Sequence, residues 1–231
     1  MRSGCGDREI DGAGANACPR LHEGAPGPGR PFVLGVIGPI AAGKSTVLAA
    51  LAQLGAATLQ ADEASRALMQ PGNPALAAVV EAFGAGCLSP DGTLDRAALG
   101  QIVFADEAAR ERLERLTHPA MVEWLRDRIA QIGNTAPRPV VVALEAAVLD
   151  RMGARPLCDR VLLVTAPHGV RRSRLVAKGL GDQQADARLR AQSSMGLEGP
   201  ADYVIDTTGP EAQTRAKVVA LWPRIRRDMH S

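Results

Sequence analysis

One lysine, set between a glycine and a serine, has a clear chemical use in this sequence. The stretch GPIAAGKS (38–45) fits the pattern G-x-x-x-x-G-K-[ST]. In this pattern a strand ends, backbone N–H groups wrap around a phosphate, and a helix begins with its positive dipole end facing the same hollow. Lys44 is one of only three lysines in the chain. The residues predict a phosphate-binding loop, and the alternative is a glycine turn with a surface lysine.

Each position of such a loop has a separate task. Lys44 reaches the β- and γ-phosphates of a nucleotide, and Ser45 offers its hydroxyl to Mg²⁺. Pro39 has no N–H, so the phosphate donors are expected mainly between Ala41 and Thr46. The predicted nucleotide-binding residues of the loop are Gly38, Ile40, Ala41, Ala42, Gly43, Lys44, Ser45 and Thr46.

An acidic residue follows the second predicted strand, at the edge of the sheet where α/β proteins form their sites. Asp62 could accept a proton from an attacking hydroxyl or bind Mg²⁺ through water. It could equally be the N-cap of the next helix, for which aspartate is favoured. Arg66, one turn on, either binds an anionic substrate or pairs with Asp62 or Glu63.

Apolar segments alternate with helical patterns along the chain. The segments that predict buried strands are FVLGVI (32–37), AATL (56–59), VVVAL (140–144), RVLLVTA (160–166) and DYVID (202–206). Helices are predicted over 44–54, over most of 62–132 with breaks at 70–74, 89–93 and Pro119, and over 211–227. This alternation predicts an α/β sandwich around a parallel sheet, with a helical sub-domain between strands two and three.

Composition narrows the class of protein. A hydrophobic content of 46% with only 3% aromatic residues predicts an aliphatic core. A net charge of +2 gives no electrostatic case for nucleic acid. No apolar run approaches the ~20 residues of a membrane span, no secretory signal is evident, and the four cysteines form no CxxC pair, so we expect a soluble cytoplasmic protein. Residues 1–30, rich in glycine and proline, predict a disordered tail.

Several segments, in order, resemble the dephospho-CoA kinase family over about residues 32–227. They are GVIGPIAAGKSTV, LGAATLQADEASRAL, FGAGCLSPDGTLDRAALGQIVFAD (83–106), LERLTHPAM (113–121), RLVAKGLGDQQADARLRAQ (174–192) and ADYVIDTTG (201–209). The resemblance implies a three-layer P-loop kinase fold: a parallel sheet of about five strands between helices, with a core at 31–62, 137–167 and 201–228. It also implies a helical acceptor-binding region at 63–136 and a lid at about 168–195.

The implied reaction is transfer of the γ-phosphoryl of ATP, with Mg²⁺, to the ribose 3′-hydroxyl of dephospho-CoA. The resemblance makes Asp62 the general base, with Lys44 and the lid residue Arg174 as the other catalytic residues. It also assigns Lys178 to ATP, and Arg66, Arg96 and His118 to the acceptor. The partners expected are these two small molecules, with neither nucleic acid nor membrane, in a monomer or weak homo-oligomer.

Three of these assignments have structural alternatives. Arg174 and Lys178 belong to a run, VRRSRLVAKG, that also suits a solvated basic helix face. His118, before Pro119 at the expected head of a long helix, could be structural, and Arg96 could form a surface salt bridge.

The segment ALEAAVLDRMG (143–153) departs from the family pattern, and either Glu145 or Asp150 is expected to join Ser45 in the Mg²⁺ shell. Lys178 replaces the usual arginine and loses its planar fork. Thr207 replaces an asparagine that lies near the adenine in the family, which predicts looser base recognition.

Two other functions remain compatible with the sequence. One is a P-loop kinase for another small acceptor, such as a nucleoside monophosphate. The other is a catalytically silent nucleotide-binding relative, which would need Lys44 but neither Asp62 nor the lid cations. The helical region between strands two and three separates the first from the main hypothesis, because acceptor choice is expected there.

Overall fold

The structure is a computed structural model that describes residues 30–135, 141–193 and 200–230. The predicted tail lies outside these ranges, except for Arg30. Residues 136–140, at the boundary between the predicted helical region and the core, also lie outside them, as do residues 194 and 195 of the predicted lid. None of the described helices is both long and apolar enough to cross a membrane.

Five parallel strands form one sheet, as the sequence predicted. In chain order they are β1 (Phe32–Ile37), β2 (Ala57–Gln60), β3 (Val141–Glu145), β4 (Arg160–Thr165) and β5 (Tyr203–Asp206). Their spatial order is β2-β3-β1-β4-β5, and each neighbouring pair is parallel. The central strand β1 is buried along its whole length. Parallel strands covered on both faces become continuous apolar runs of this kind, which is why β1 could be read directly from the sequence.

Eight α-helices surround this sheet within the described residues. They are α1 (Lys44–Gln53), α2 (Ala61–Leu68), α3 (Pro74–Phe83), α4 (Arg96–Ala105), α5 (Glu107–Gly133), α6 (His168–Ala177), α7 (Asp182–Ser193) and α8 (Glu211–Asp228). Side chains of β1 alternate between the two faces of the sheet. Leu34 and Val36 pack with α1 and α8, whereas Val33 and Ile37 pack with α2 and α5. The result is the three-layer arrangement.

Two smaller apolar clusters lie beside the sheet. One belongs to the helical region between β2 and β3, with Met69, Leu76, Val79, Cys87 and Leu99 at its centre. The other joins α6 to α7 through Leu175, Ala185 and Leu189, and the loop residues Ile40 and Ala41 pack against it. The helix pair α6–α7 is therefore docked on the loop that follows β1.

The predicted helix break at Pro119 is wrong. Helix α5 runs through Pro119, and His118 lies in its interior rather than at its head. Proline removes the backbone bond from position 119 to the Arg115 carbonyl. Both Arg115 and Pro119 are exposed, so water can satisfy that carbonyl. The packing of Thr117, Leu125 and Ile129, which are buried on the other side, holds the helix together across the missing bond.

Replacing Pro119 with alanine should therefore stabilise the protein. Alanine restores the missing helix hydrogen bond, and we expect the free energy of unfolding to rise by about 1–3 kcal/mol in urea denaturation. Pro74→Ala is the matched control, because Pro74 lies at the start of α3, where its N–H is not needed. An unchanged or lowered stability of Pro119→Ala would mean that α5 requires the proline for its path.

Candidate active site

The loop between β1 and α1 lies close to β4 and to Thr207, the residue that follows β5. A Cβ on Gly38, whose φ is 143°, would lie 2.2 Å from the Val164 carbonyl oxygen. A Cβ on Gly43, whose φ is 93°, would lie 3.1 Å from Thr207 Oγ1. Sterics and backbone conformation both require glycine at position 38, whereas at Gly43 the left-handed φ is the main constraint and a Cβ would make a tight contact. Ala41 also has a left-handed φ, of 59°, which a tight loop must impose on a non-glycine residue.

Lys44, the first residue of α1, is held against the loop by its own side chain. Its Nζ donates to the carbonyl oxygen of Gly38 at 2.9 Å and to that of Pro39 at 3.4 Å. Glu145 Oε1, at the end of β3, lies 3.6 Å from the same nitrogen. Burial lowers the pKa of Lys44, while the charges of Glu145 and then Asp62 raise it in part. The loop carbonyls therefore hold the ammonium of Lys44 in place, and the two carboxylates offset only part of the effect of burial on its pKa.

Asp62 is not the cap of α2. The N-cap is Gln60, whose backbone N–H donates to Glu63 Oε1 at 3.1 Å, and Asp62 is the second residue of the helix. The side chain of Asp62 is exposed, and its charge acts on Lys44. Asp62 is therefore not needed to cap the helix, and it lies close enough to Lys44 for its charge to act on the lysine.

The structure separates the two candidates for the metal shell. Glu145 is paired in register with Val36 of β1 and Gln60 of β2, so it lies at the same edge of the sheet as the loop. Asp150 lies in the turn after β3 and pairs with Arg155 through both of its oxygens. The carboxylate of Asp150 is therefore engaged with Arg155, whereas that of Glu145 pairs with Lys44.

Arg174 connects α6 to the loop and to the end of β5. Its Nη1 donates to the Ala41 carbonyl at 3.1 Å and to Thr207 Oγ1 at 3.0 Å, and its Nη2 donates to the Thr207 carbonyl. Arg172, two residues earlier, instead pairs with Asp182 and Asp186 of α7. Within the predicted basic run, Arg172 therefore joins α6 to α7, whereas Arg174 contacts the loop.

A cleft of about 420 Å³ opens beside the loop. Lys178, at the C-cap of α6, lies across it, and its charge lowers the pKa of Lys44 further. The positions predicted to bind nucleotide are mostly among its lining residues, which are Ala41, Gly43, Lys44, Ser45, Thr46, Glu145, Arg174, Ala177, Lys178, Thr207, Glu211 and Thr214. Cations from the loop and from α6 thus face one space, together with a hydroxyl and a carboxylate.

The three residues predicted to bind the acceptor are dispersed. Arg96 donates from α4 to the hydroxyl and carbonyl oxygens of Ser65 on α2, both at 3.4 Å, so its predicted surface salt bridge is replaced by contacts with α2. Arg66 lines a separate cleft of about 460 Å³ against α5, which it shares with Glu63 and Trp124. Arg96 therefore contacts α2, the helix to which both Arg66 and Asp62 belong.

His118 has a structural environment inside α5. It lies near Glu114 and Arg151, whose side chains form an ion pair at 2.8 Å. Burial lowers the pKa of His118, the Glu114 charge raises it, the Arg151 charge lowers it, and a hydrogen bond with the Arg151 backbone raises it. Of the predicted acceptor residues, His118 is the one that the structure places against an internal ion pair.

Sequence reasoning missed Gln192 and did not foresee the contacts that Thr207 makes. Thr207 is only 1% exposed, and its hydroxyl bonds the carbonyls of Ala42 and Thr165 at 2.5 and 3.1 Å. A hydroxyl with one hydrogen that already contacts these carbonyls has little capacity left for a nucleotide base, so looser base recognition stays the prediction at this position. Gln192 of α7 accepts a hydrogen bond from the backbone N–H of Ile40. These contacts span long stretches of chain, so no local pattern could have indicated them.

Comparison with known proteins identifies the kind of site this is. The family model described as dephospho-CoA kinase matches residues 32–212. A dephospho-CoA kinase of Moorella thermoacetica is 41% identical over 200 residues, covering 86% of this chain and 94% of that protein. One from Anaeromyxobacter dehalogenans is 44% identical over 183 residues, covering 78% of this chain and 86% of that protein.

Solved structures agree with the sequence comparison. TT1252 from Thermus thermophilus matches with a TM-score of 0.67 and 28% identity, covering 84% of this chain and 98% of that one. A dephospho-CoA kinase from Campylobacter jejuni matches with a TM-score of 0.60 and 25% identity, covering 84% and 96% of the two chains. With the phosphate loop, the parallel sheet and these matches together, the chain belongs to the dephospho-CoA kinase family.

Proposed function

We propose that the cleft beside the phosphate loop is where this chain transfers the γ-phosphoryl group of ATP to the ribose 3′-hydroxyl of dephospho-CoA. Membership of the dephospho-CoA kinase family gives the activity, which yields coenzyme A and ADP. The observation that carries the location is that Lys44, Arg174 and Lys178 line one cleft at the carboxyl end of the sheet, with Asp62 acting electrostatically on Lys44.

The cations stabilise negative charge on the phosphates from two sides. Lys44 acts from the helix α1 side, together with the loop N–H groups and the N-terminal dipole of α1. Arg174 and Lys178 act from α6, which with α7 would be the lid that excludes water around the reacting groups. The docking of Leu175 and Leu189 against Ile40 and Ala41 supports this, because it couples the helix pair to the loop.

The donor set also fits Mg²⁺, which prefers oxygen ligands and arrives bound to nucleotide phosphates. Ser45 and Glu145 line the same cleft and would hold the ion there. When bound, Mg²⁺ would neutralise charge on the phosphate oxygens. Within the described residues no cluster of three or more His, Cys, Asp or Glu side chains could hold a metal by itself, so the phosphates would supply the remaining ligands.

Asp62 is the general base of the proposal. It orients the ribose hydroxyl and takes its proton as the oxygen attacks phosphorus, a task that needs a carboxylate near the phosphates but outside the loop. Its exposure leaves it accessible to an incoming acceptor. Helices α2 to α5 would form the acceptor-binding region, with Arg66 on α2, Arg96 contacting α2 from α4, and His118 supporting that region from within α5.

The compartment and assembly state belong to the same proposal. A monomer or weak homo-oligomer in the cytoplasm is expected. The two cysteines that the structure describes, Cys87 and Cys158, are free thiols, as a reducing compartment allows. Burial raises the pKa of Cys158 to about 12, which makes this thiol unreactive.

Acceptor-dependent ADP formation tests the function directly. With ATP and Mg²⁺ present, we expect rapid ADP release with dephospho-CoA, and release near background with AMP or shikimate. The phosphorylated product should carry its new phosphate on the ribose 3′-oxygen, which phosphorus NMR can locate. Preference for AMP or shikimate would make the chain a kinase for another acceptor, and release with none of the three would make it a silent relative.

Asp62→Asn should lower kcat by at least ~10²-fold, because the amide cannot take the proton of the attacking hydroxyl. The dissociation constant of ATP, measured by calorimetry, should remain nearly unchanged. Glu63→Gln is the matched control, since Glu63 is the adjacent acid and bonds the backbone of Gln60. A kcat for Asp62→Asn equal to that of the control would remove Asp62 from the reaction.

The pH dependence of ATP binding distinguishes Glu145 from Asp150. Lys44 binds phosphate as an ammonium, and the Glu145 charge raises its pKa against the effect of burial. Glu145→Gln removes the raising effect, so the pKa of Lys44 should fall further below its ordinary 10.5. ATP affinity without Mg²⁺ should then decline at a lower pH than in the wild type. Asp150→Asn should leave that pH profile unchanged, and equal shifts in both variants would contradict the assignment.

A further inference from the structure

Phe104 is an exposed aromatic residue that lines a cleft. It is 77% exposed at the carboxyl end of α4, although Leu99 on the same helix is buried. A single exposed apolar residue needs no special explanation. Phe104, however, faces a cleft of about 510 Å³ whose other walls come from Ile40 of the phosphate loop and from α7. Apolar and aromatic walls with a few polar groups are typical of a small-molecule site.

Three parts of the fold converge on this cleft. The α7 wall consists of Gln184, Ala187, Arg188, Ala191 and Gln192. Gln192 also accepts the backbone N–H of Ile40, so this wall is attached to the loop itself. Ile40 is followed by Ala41, which lines the neighbouring phosphate-loop cleft. A molecule lying here would therefore contact the acceptor region and the lid, and would adjoin the transferred phosphoryl group.

We propose that this cleft binds the pantetheine arm of dephospho-CoA, with the Phe104 ring packing on the arm's methyl and methylene groups. The proposal rests on the function given above. Once the acceptor ribose reaches Asp62, the diphosphate and the arm must leave the reacting groups along a path between the helical region and the lid. The cleft lined by Phe104 is such a path.

The polar groups of the cleft match the rest of that chain. The guanidinium of Arg188 suits the acceptor diphosphate, because a charged planar donor pairs well with phosphate oxygens. The side-chain amides of Gln184 and Gln192 suit the two amide groups of the arm. The wall opposite the ring is aliphatic, formed by Ala187 and Ala191, and this favours a flexible arm over a flat base held between two rings.

Truncating the ring tests the proposal. Phe104→Ala should raise the KM of dephospho-CoA about tenfold, with kcat and the KM of ATP within about twofold of wild type. At saturating ATP, the inhibition constant of 4′-phosphopantetheine should rise in parallel, and that of AMP should not. Val219→Ala, which shortens a side chain 53% exposed on α8, is the matched control and should leave all of these constants unchanged.

A second variant approaches the cleft from the opposite wall. Ala187→Trp should fill the space and raise the KM of dephospho-CoA as truncation of Phe104 does. The proposal is overturned if Phe104→Ala leaves the KM of dephospho-CoA within twofold of wild type, or if the AMP constant rises by the same factor, which would place the base on the ring. A wild-type protein inactive with dephospho-CoA would instead refute the proposed function.

Discussion

The close approach of the phosphate loop to β4 and β5 is the constraint on which the site depends. Gly38 and Gly43 allow the loop backbone to lie against the Val164 carbonyl and the Thr207 hydroxyl, where a Cβ would collide at position 38 and be tightly packed at position 43. This proximity sets the direction of the loop. The carbonyls of Gly38 and Pro39 face Lys44, while those of Ala41 and Ala42 face Arg174 and Thr207. With its carbonyls occupied by cations and a hydroxyl, the loop can present backbone N–H groups to an anion, as phosphate sites require.

That arrangement makes Thr207 a structural link between distant parts of the chain. Its hydroxyl and carbonyl join the loop after β1, the end of β5 and Arg174 of α6. A buried hydrogen-bonded group of this kind fixes geometry, because any displacement leaves polar atoms unpaired. Arg174 therefore faces the loop through contacts within the protein, before any ligand adds its own. The orientation of this cation is set by the fold, and preorganised charge is what electrostatic catalysis needs.

Local sequence patterns predicted the sheet, the loop and the order of the elements. Buried parallel strands can be recognised in the sequence because they are continuous apolar runs. The loop can be recognised because its backbone conformation favours glycine at two positions. Pro119 misled because tertiary packing of the buried face of α5 overrides one lost hydrogen bond. Local patterns could not predict which side chains meet in the folded chain. Glu145 pairs with Lys44, and Asp150 pairs with Arg155. Thr207 accepts a hydrogen bond from Arg174.

The charges around the cleft explain how a chain of net charge +2 can serve highly anionic ligands. Lys44 and Lys178 repel one another and burial disfavours the ammonium of Lys44, whereas the charges of Glu145 and Asp62 favour it. A polyphosphate relieves both penalties at once. Since Lys178 and Arg174 belong to α6, and α6 is joined to α7 by the ion pairs of Arg172, the same electrostatic gain favours keeping the helix pair docked on the loop.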